Sequence, residues 1–410
     1  MSSAQNTPVP QPEPRPTPPP TWADLLGSVP SPKSLVAHLD RHVVGQQAAK
    51  RKLAVAVSSH FRRLADGQRC GGRVIGPDPL DDAPDLIHVP IERSNLLLIG
   101  PTGSGKTLLV QALAKALNVP VVIGDATTFT EAGYVGDDVE NLLVRLLLAA
   151  GGEFGPAQRG IIFIDEIDKL RKYHGHSGMS KDPTGQGVQH ALLKMMESWV
   201  SFIPTKLGPR HPEAETVPFD TTDVLFIYGG AFPGLEDIIS RRLGRDAGGF
   251  GFGAATDHAE VEGDLLRHVL PCDLEAFGMI PELLGRLPVI ATLDDLGVDH
   301  LVRILTDPAN ALLKQYRKLL RLSHGADLEF TPKAVQEVAR MAYERGTGAR
   351  GLRAIVEQVV EGVMFEASEA DRGQTFVIDE RVVRGEGTTL RTPIRAVPPL
   401  RTLLRKRVSG

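Results

Sequence analysis

The stretch Gly100-Pro101-Thr102-Gly103-Ser104-Gly105-Lys106-Thr107 satisfies the pattern G-x-x-x-x-G-K-[ST]. Glycines allow a tight turn in which successive backbone N–H groups face one anion, and a lysine and a hydroxyl follow immediately. This suits a nucleoside triphosphate: the turn cradles the phosphates, Lys106 reaches the β and γ oxygens, and the Thr107 hydroxyl ligates Mg²⁺. A second pair, Asp165 and Glu166, ends the apolar run Ile161 to Ile164. Carboxylates at the carboxyl end of a strand lie where ligands bind in open α/β sheets. Asp165 would hold Mg²⁺ through water, and Glu166 would polarise the attacking water. ATP and Mg²⁺ are the expected cofactors and hydrolysis the expected reaction.

These groups need a scaffold, and the flanking pattern supplies one. Short apolar runs (NLLLIG, VPVVIGDA, GIIFIDEID, VLFIYGGAF) alternate with helical stretches (TLLVQALAKALN, VENLLVRLLLAAG). Apolar strands without polar alternation, separated by amphipathic helices, predict a parallel sheet covered on both faces. Upstream, a helical segment is expected through Leu35 to Leu64. Beyond about Leu293 helices dominate, with one strand-like FVIDERVV, which predicts a smaller, mostly helical second domain. The expected fold class is α/β, a P-loop ATPase large domain followed by a small helical domain. The expected limits are 31–291 for the large domain, with a surface insertion at 65–92, and 292–388 for the small one.

Both ends differ from this core. Residues 1–30 open with a stretch holding eight of the 31 prolines and read as a disordered, extended tail. Residues 389–410 read as a mobile basic tail. The 410 residues are 42% hydrophobic and 23% charged, with net charge −4, which matches ordinary soluble globular chains. That charge gives no overall attraction to nucleic acid or anionic lipid. Two cysteines, Cys70 and Cys272, are far apart in sequence and fit no zinc knuckle. With neither a leader pattern nor a run near ~20 apolar residues, the expected location is cytoplasmic, away from the membrane.

Longer phrases narrow the class. DATTFTEAGYVGDDVENLL, QRGIIFIDEIDK, GQGVQHALLKMME, GGAFPGL, FGMIPELLGRLPV and GTGARGLRAIVE, in this order, closely resemble the ClpX-type family of AAA+ protein-unfolding ATPases, from about Leu35 to Glu380. The resemblance implies a homohexamer that threads protein substrates through a central pore. Pore loops are implied at 170–186 and 204–216, and a peptidase-docking loop at 244–262. Tyr134 and Val135, in Gly133-Tyr134-Val135-Gly136, match the loop whose exposed aromatic grips polypeptide. Arg286 matches the arginine finger that completes a neighbouring subunit's site, and Arg350 the sensor-2 arginine that reaches the phosphates of its own. Val43 and Val44, in Val43-Val44-Gly45-Gln46, match the segment near the adenine. Sensor 1 falls around Tyr228 to Gly230, with no single residue assigned.

Departures are informative too. The family's four-cysteine zinc-binding domain has no counterpart among two cysteines. Phe250-Gly251-Phe252 stands where the docking loop has an Ile-Gly-Phe-like tripeptide, so a ClpP-like peptidase is the expected partner with an altered contact. Arg210 and His211 are retained at the pore entrance, but Pro209 precedes them, which weakens attraction for acidic tags. The lower pore loop keeps Lys181 and Asp182 and has Gln186 in place of an acid. With no Ser-His-Asp or Cys-His signature, no intrinsic peptidase is expected. Adaptors join protein substrates among the expected partners, and the rival readings are a free-standing remodelling chaperone, a nucleic-acid motor, and a module that holds ATP without hydrolysing it.

Overall fold

A computed structural model of the protein describes residues 29–70, 80–129, 139–171, 183–197, 200–204, 216–244, 262–368 and 371–393. In the first part of the chain are helices α1 (Pro32–Asp40) and α2 (Gln47–Cys70), strand β1 (Leu96–Ile99), helix α3 (Lys106–Leu117) and strand β2 (Val121–Asp125). Helices α4 (Asn141–Ala149) and α5 (Phe154–Gln158) lead to β3 (Ile161–Asp165), and α6 (Pro183–Met196) to the antiparallel pair β4 (Val200–Pro204) and β5 (Thr216–Asp220). Strand β6 (Leu225–Gly230), α7 (Leu235–Arg242), α8 (Pro271–Phe277), α9 (Pro281–Gly285) and β7 (Val289–Thr292) complete the large domain.

The five strands β2-β3-β6-β1-β7 form one sheet, parallel throughout. The apolar runs that predicted it are buried on both faces. Leu97, Ile99, Ile162, Ile164, Phe226 and Tyr228 enter one core; Leu96, Leu98, Ile161, Phe163, Leu225 and Ile227 enter the other. Period-two alternation therefore sorts one apolar run onto two helix layers. This arrangement delivers the carboxyl ends of β1, β3 and β6 side by side, where the chemistry-bearing residues stand.

The small domain contains α10 (Val298–Thr306), α11 (Leu312–His324), β8 (Asp327–Phe330), α12 (Pro332–Glu344), α13 (Ala349–Glu366), β9 (Gln374–Ile378), α14 (Glu380–Val383) and β10 (Leu390–Pro393). Thr331 caps α12 by accepting from the Ala334 N–H at 3.2 Å, and Pro332 occupies its first turn. On α12, Glu337 accepts from Arg340 at 2.7 Å and from Arg384, just after α14, at 2.8 Å. Those hydrogen bonds push the Glu337 carboxyl down to about 2.

Four expectations differ from the structure. The helical segment over 35–64 is two helices: Gly45 and Gln46 sit at φ 67° and 58°, a left-handed conformation that no α-helix continues through. Helix α2 runs on to Cys70, into the stretch read as a surface insertion from 65. The small domain has three strands in the order β10-β9-β8, not one, and β10 lies within the stretch read as a basic tail. The two missed strands, Asp-Leu-Glu-Phe in β8 and Leu-Arg-Thr-Pro in β10, mix polar and apolar residues and so lack the continuous apolar run that marks β1.

Candidate functional site

Gly100 follows the last residue of β1, and a Cβ there would come within 2.8 Å of the Leu293 carbonyl oxygen, so only glycine lets the turn leave the sheet here. Gly103 and Gly105 adopt φ 85° and 101°, and α3 opens at Lys106. The Lys106 side chain is buried, its Nζ donating to the carbonyls of Gly100 at 2.6 Å and Pro101 at 3.0 Å. Burial pushes its pKa below the ordinary lysine value, with Asp165 and Asp168 opposing. Next along the helix, the Thr107 hydroxyl donates to Asp165 Oδ2 at 2.9 Å.

Asp165 is the last residue of β3, and its Oδ1 accepts the Glu166 N–H at 3.0 Å. Glu166 sits at φ 59°, ψ 30°. A left-handed non-glycine residue is strained by about 1–3 kcal/mol and persists where its surroundings fix it, typically at functional sites. Asp168, two residues on, was not singled out by sequence. Its carboxylate is buried; Oδ1 accepts the Ala231 N–H at 3.1 Å, tying the segment after β3 to the end of β6. The Asp-Glu-Ile-Asp spacing was the available signal for it.

Thr102, Gly103, Gly105, Lys106, Thr107, Asp165, Glu166, Asp168 and Arg350 line one cleft of about 490 Å³. Arg350 enters from the small domain as the second residue of α13. The turn before it, Gly348, packs on the phosphate loop: a Cβ on Gly103 would approach the Thr347 carbonyl at 3.2 Å. Pro101 and Ser104 complete the loop, Ser104 being buried. Val43 and Val44 are buried beside a second cleft of about 710 Å³, shared with His300, Arg303 and Asp307 of the small domain. Both clefts thus draw on both domains.

Arg286 stands apart. It follows α9, its side chain is 57% exposed, and it pairs with Glu197 at 2.9 Å. Glu197, just after α6, is a partner that sequence did not suggest. At the end of β6 the Tyr228 side chain is buried in the core, while Gly229 and Gly230 have no room for a side chain, a Cβ on Gly230 meeting Asp168 Oδ1 at 2.7 Å. The strand end therefore faces the cleft with backbone, and the side chain at its side is Asp168. Tyr134, Val135, Lys181, Asp182, Arg210, His211, Phe250, Gly251 and Phe252 lie outside the described residues.

The donor set fits a magnesium-bound triphosphate. Thr107 and Asp165 offer hard oxygen ligands, and Mg²⁺ usually takes one or two from protein and the rest from phosphate and water. Among the described residues no group of three or more His, Cys, Asp or Glu is arranged to hold a metal unaided, and no helix is long and apolar enough to cross a membrane.

Comparison with known proteins agrees with this geometry. Residues 91–290 match the AAA domain (Cdc48 subfamily), and residues 296–376 match the C-terminal, D2-small domain of ClpB protein. An ATP-dependent Clp protease ATP-binding subunit ClpX from Treponema denticola is 42% identical over 360 residues, covering 88% of this chain and 83% of the relative. Its counterpart from Borrelia duttonii is 45% identical over 351 residues, covering 85% and 77%. A ClpX 3 from Methylococcus capsulatus is 44% identical over 370 residues, covering 89% and 82%. With the phosphate loop, the acidic strand end and the small-domain arginine in one cleft, and relatives this similar over most of their length, the chain is an AAA ATPase that belongs to the ClpX family of Clp protease ATP-binding subunits.

Proposed function

We propose that this chain is the ATP-driven unfolding and threading subunit of a Clp-type protease, working as a homohexameric ring that passes protein substrates to a ClpP-like peptidase. The observation that carries the reading is the cleft built from both domains, with Lys106, Asp165 and Glu166 on one side and Arg350 on the other. A nucleotide held there touches two bodies, so its hydrolysis can change the angle between them.

Within the cleft, backbone N–H groups of residues 102–107 and the start of α3 receive the phosphates, and Lys106 exchanges its carbonyl partners for phosphate oxygens. Thr107 and Asp165 hold Mg²⁺, which when bound neutralises charge on the phosphates. Glu166 orients the attacking water and accepts its proton. Arg350 steadies the phosphates from the small domain, and Val43 and Val44 shape the apolar side of the base site. Arg286, exposed and not among the residues lining this cleft, serves the site of the neighbouring copy. Tyr134 and Val135 grip the polypeptide, with Arg210 and His211 at the entrance. Peptide bonds are cut only by the partner.

Phe250 and Phe252 are proposed as the docking contact, because large apolar groups on a glycine-rich loop suit a hydrophobic cleft on the peptidase. Replacing both with Ser is expected to leave ATP hydrolysis within about twofold while degradation of a tagged protein by the paired peptidase falls at least ~100-fold, as loss of anchor residues does. Unchanged degradation would instead favour a free-standing remodelling chaperone.

A further inference from the structure

We infer that Gln46 is a positioning residue that links the phosphate loop to the crossing between the two domains. Its side chain is buried and makes three hydrogen bonds to distant backbone. Nε2 donates to the Asp294 carbonyl at 2.8 Å and to the Ser104 carbonyl at 3.4 Å, while Oε1 accepts the Asp294 N–H at 2.9 Å. Two carbonyls on one side and an N–H on the other leave only one orientation of the amide that satisfies all three.

Each partner has a distinct place. Ser104 belongs to the phosphate loop. Asp294 follows β7 and precedes α10, where the chain leaves the sheet for the small domain. Gln46 itself follows Val43 and Val44, and its φ of 58° is held against intrinsic preference, since a glutamine gains nothing from the left-handed region on its own. Behind it, buried Lys50 donates to the Val43 carbonyl at 2.6 Å and to Asp40 at 2.7 Å, fixing the segment from which Gln46 projects. On the far side, Arg267 donates to Asp294 Oδ1 at 3.2 Å. One amide therefore joins the phosphate loop, the base-side segment and the interdomain crossing. The bond to Ser104 is the longest of the three and the first to respond when phosphate moves that carbonyl.

The inference rests on the ATP reading of the cleft and not on the fate of any protein substrate. It is tested by amide hydrogen exchange on the full-length protein with and without ATP, in Gln46→Met and Gln46→Glu. Methionine keeps the length and loses all three bonds. Glutamate keeps the acceptor and opposes both carbonyls. In the unaltered protein ATP is expected to slow exchange about tenfold both at residues 100–107 and at 294–296. Both variants should retain ATP protection at 100–107, lose it at 294–296, and hydrolyse ATP with KM within about threefold and kcat down about tenfold. Protection at 294–296 that persists in the variants would overturn the bridge, as would joint loss at both segments with a lowered melting temperature, which marks a purely structural role. In the unaltered protein, protection at 100–107 without protection at 294–296 refutes the bridge alone, and protection at neither segment refutes the ATP reading as well.

Discussion

Glu166→Gln is expected to bind ATP and assemble normally yet hydrolyse it about 10²–10⁴ times more slowly, the usual contribution of a positioned general base. The geometry explains the size of the effect. Glu166 is held in a left-handed conformation at the end of β3, beside an Asp165 that is already engaged by Thr107 and by the Glu166 N–H itself. No side chain from β6 can substitute, because that strand ends in Gly229 and Gly230. Asp168 accepts the Ala231 N–H through Oδ1, and its Oδ2 lies 3.7 Å from the Lys169 ammonium. Glutamine keeps the size and removes the proton acceptor, so binding should survive while turnover does not. A single-turnover assay with equilibrium ATP titration separates the two, and near-normal turnover would remove Glu166 from the water-activating role.

Arg286→Ala carries the second large effect. Arg286 is proposed as an arginine finger, a group that contributes about 10³-fold or more to turnover, and its guanidinium is exposed, absent from the lining of its own cleft and paired with Glu197. Such a surface ion pair is weak, so Arg286 can leave it for the phosphates of an adjoining copy. The expected loss is therefore about 10³-fold in kcat with ATP affinity nearly unchanged. Mixing supplies a sharper readout. In the proposed ring of head-to-tail contacts, a site would need Glu166 from one subunit and Arg286 from the next. Equal parts of Glu166→Gln and Arg286→Ala protein, each nearly inactive alone, should then recover about a quarter of the original hydrolysis after subunit exchange. No recovery in exchanged rings would mean that Arg286 acts within its own chain.

Most of the candidate site was legible in sequence because its parts are local. Gly100 to Thr107 are contiguous, and Asp165 and Glu166 end an apolar run whose burial on both faces forces it to be an interior strand. The sheet was legible for the same reason: each of β1, β3 and β6 is a continuous apolar stretch. What escaped was made by chain segments far apart. Gln46 finds Asp294 across 248 residues, and Arg286 finds Glu197 across 89, and no spacing rule records either. The break between α1 and α2 was hidden because apolar periodicity runs through it, whereas the left-handed turn at Gly45 and Gln46 leaves only a single glycine as its mark. Asp168 was overshadowed by the carboxylates before it, although it is the one that secures the end of β6.

Whether hydrolysis in this cleft drives a polypeptide through a ring can be read from an unfolding assay. A stable fluorescent β-barrel protein bearing a set of unstructured tails is incubated with the purified chain, and fluorescence and phosphate release are followed together. ATP-dependent loss of fluorescence is expected with the unaltered protein, abolished in Tyr134→Ala while ATP hydrolysis continues. Steady fluorescence across every tail despite vigorous hydrolysis by the unaltered protein would contradict threading.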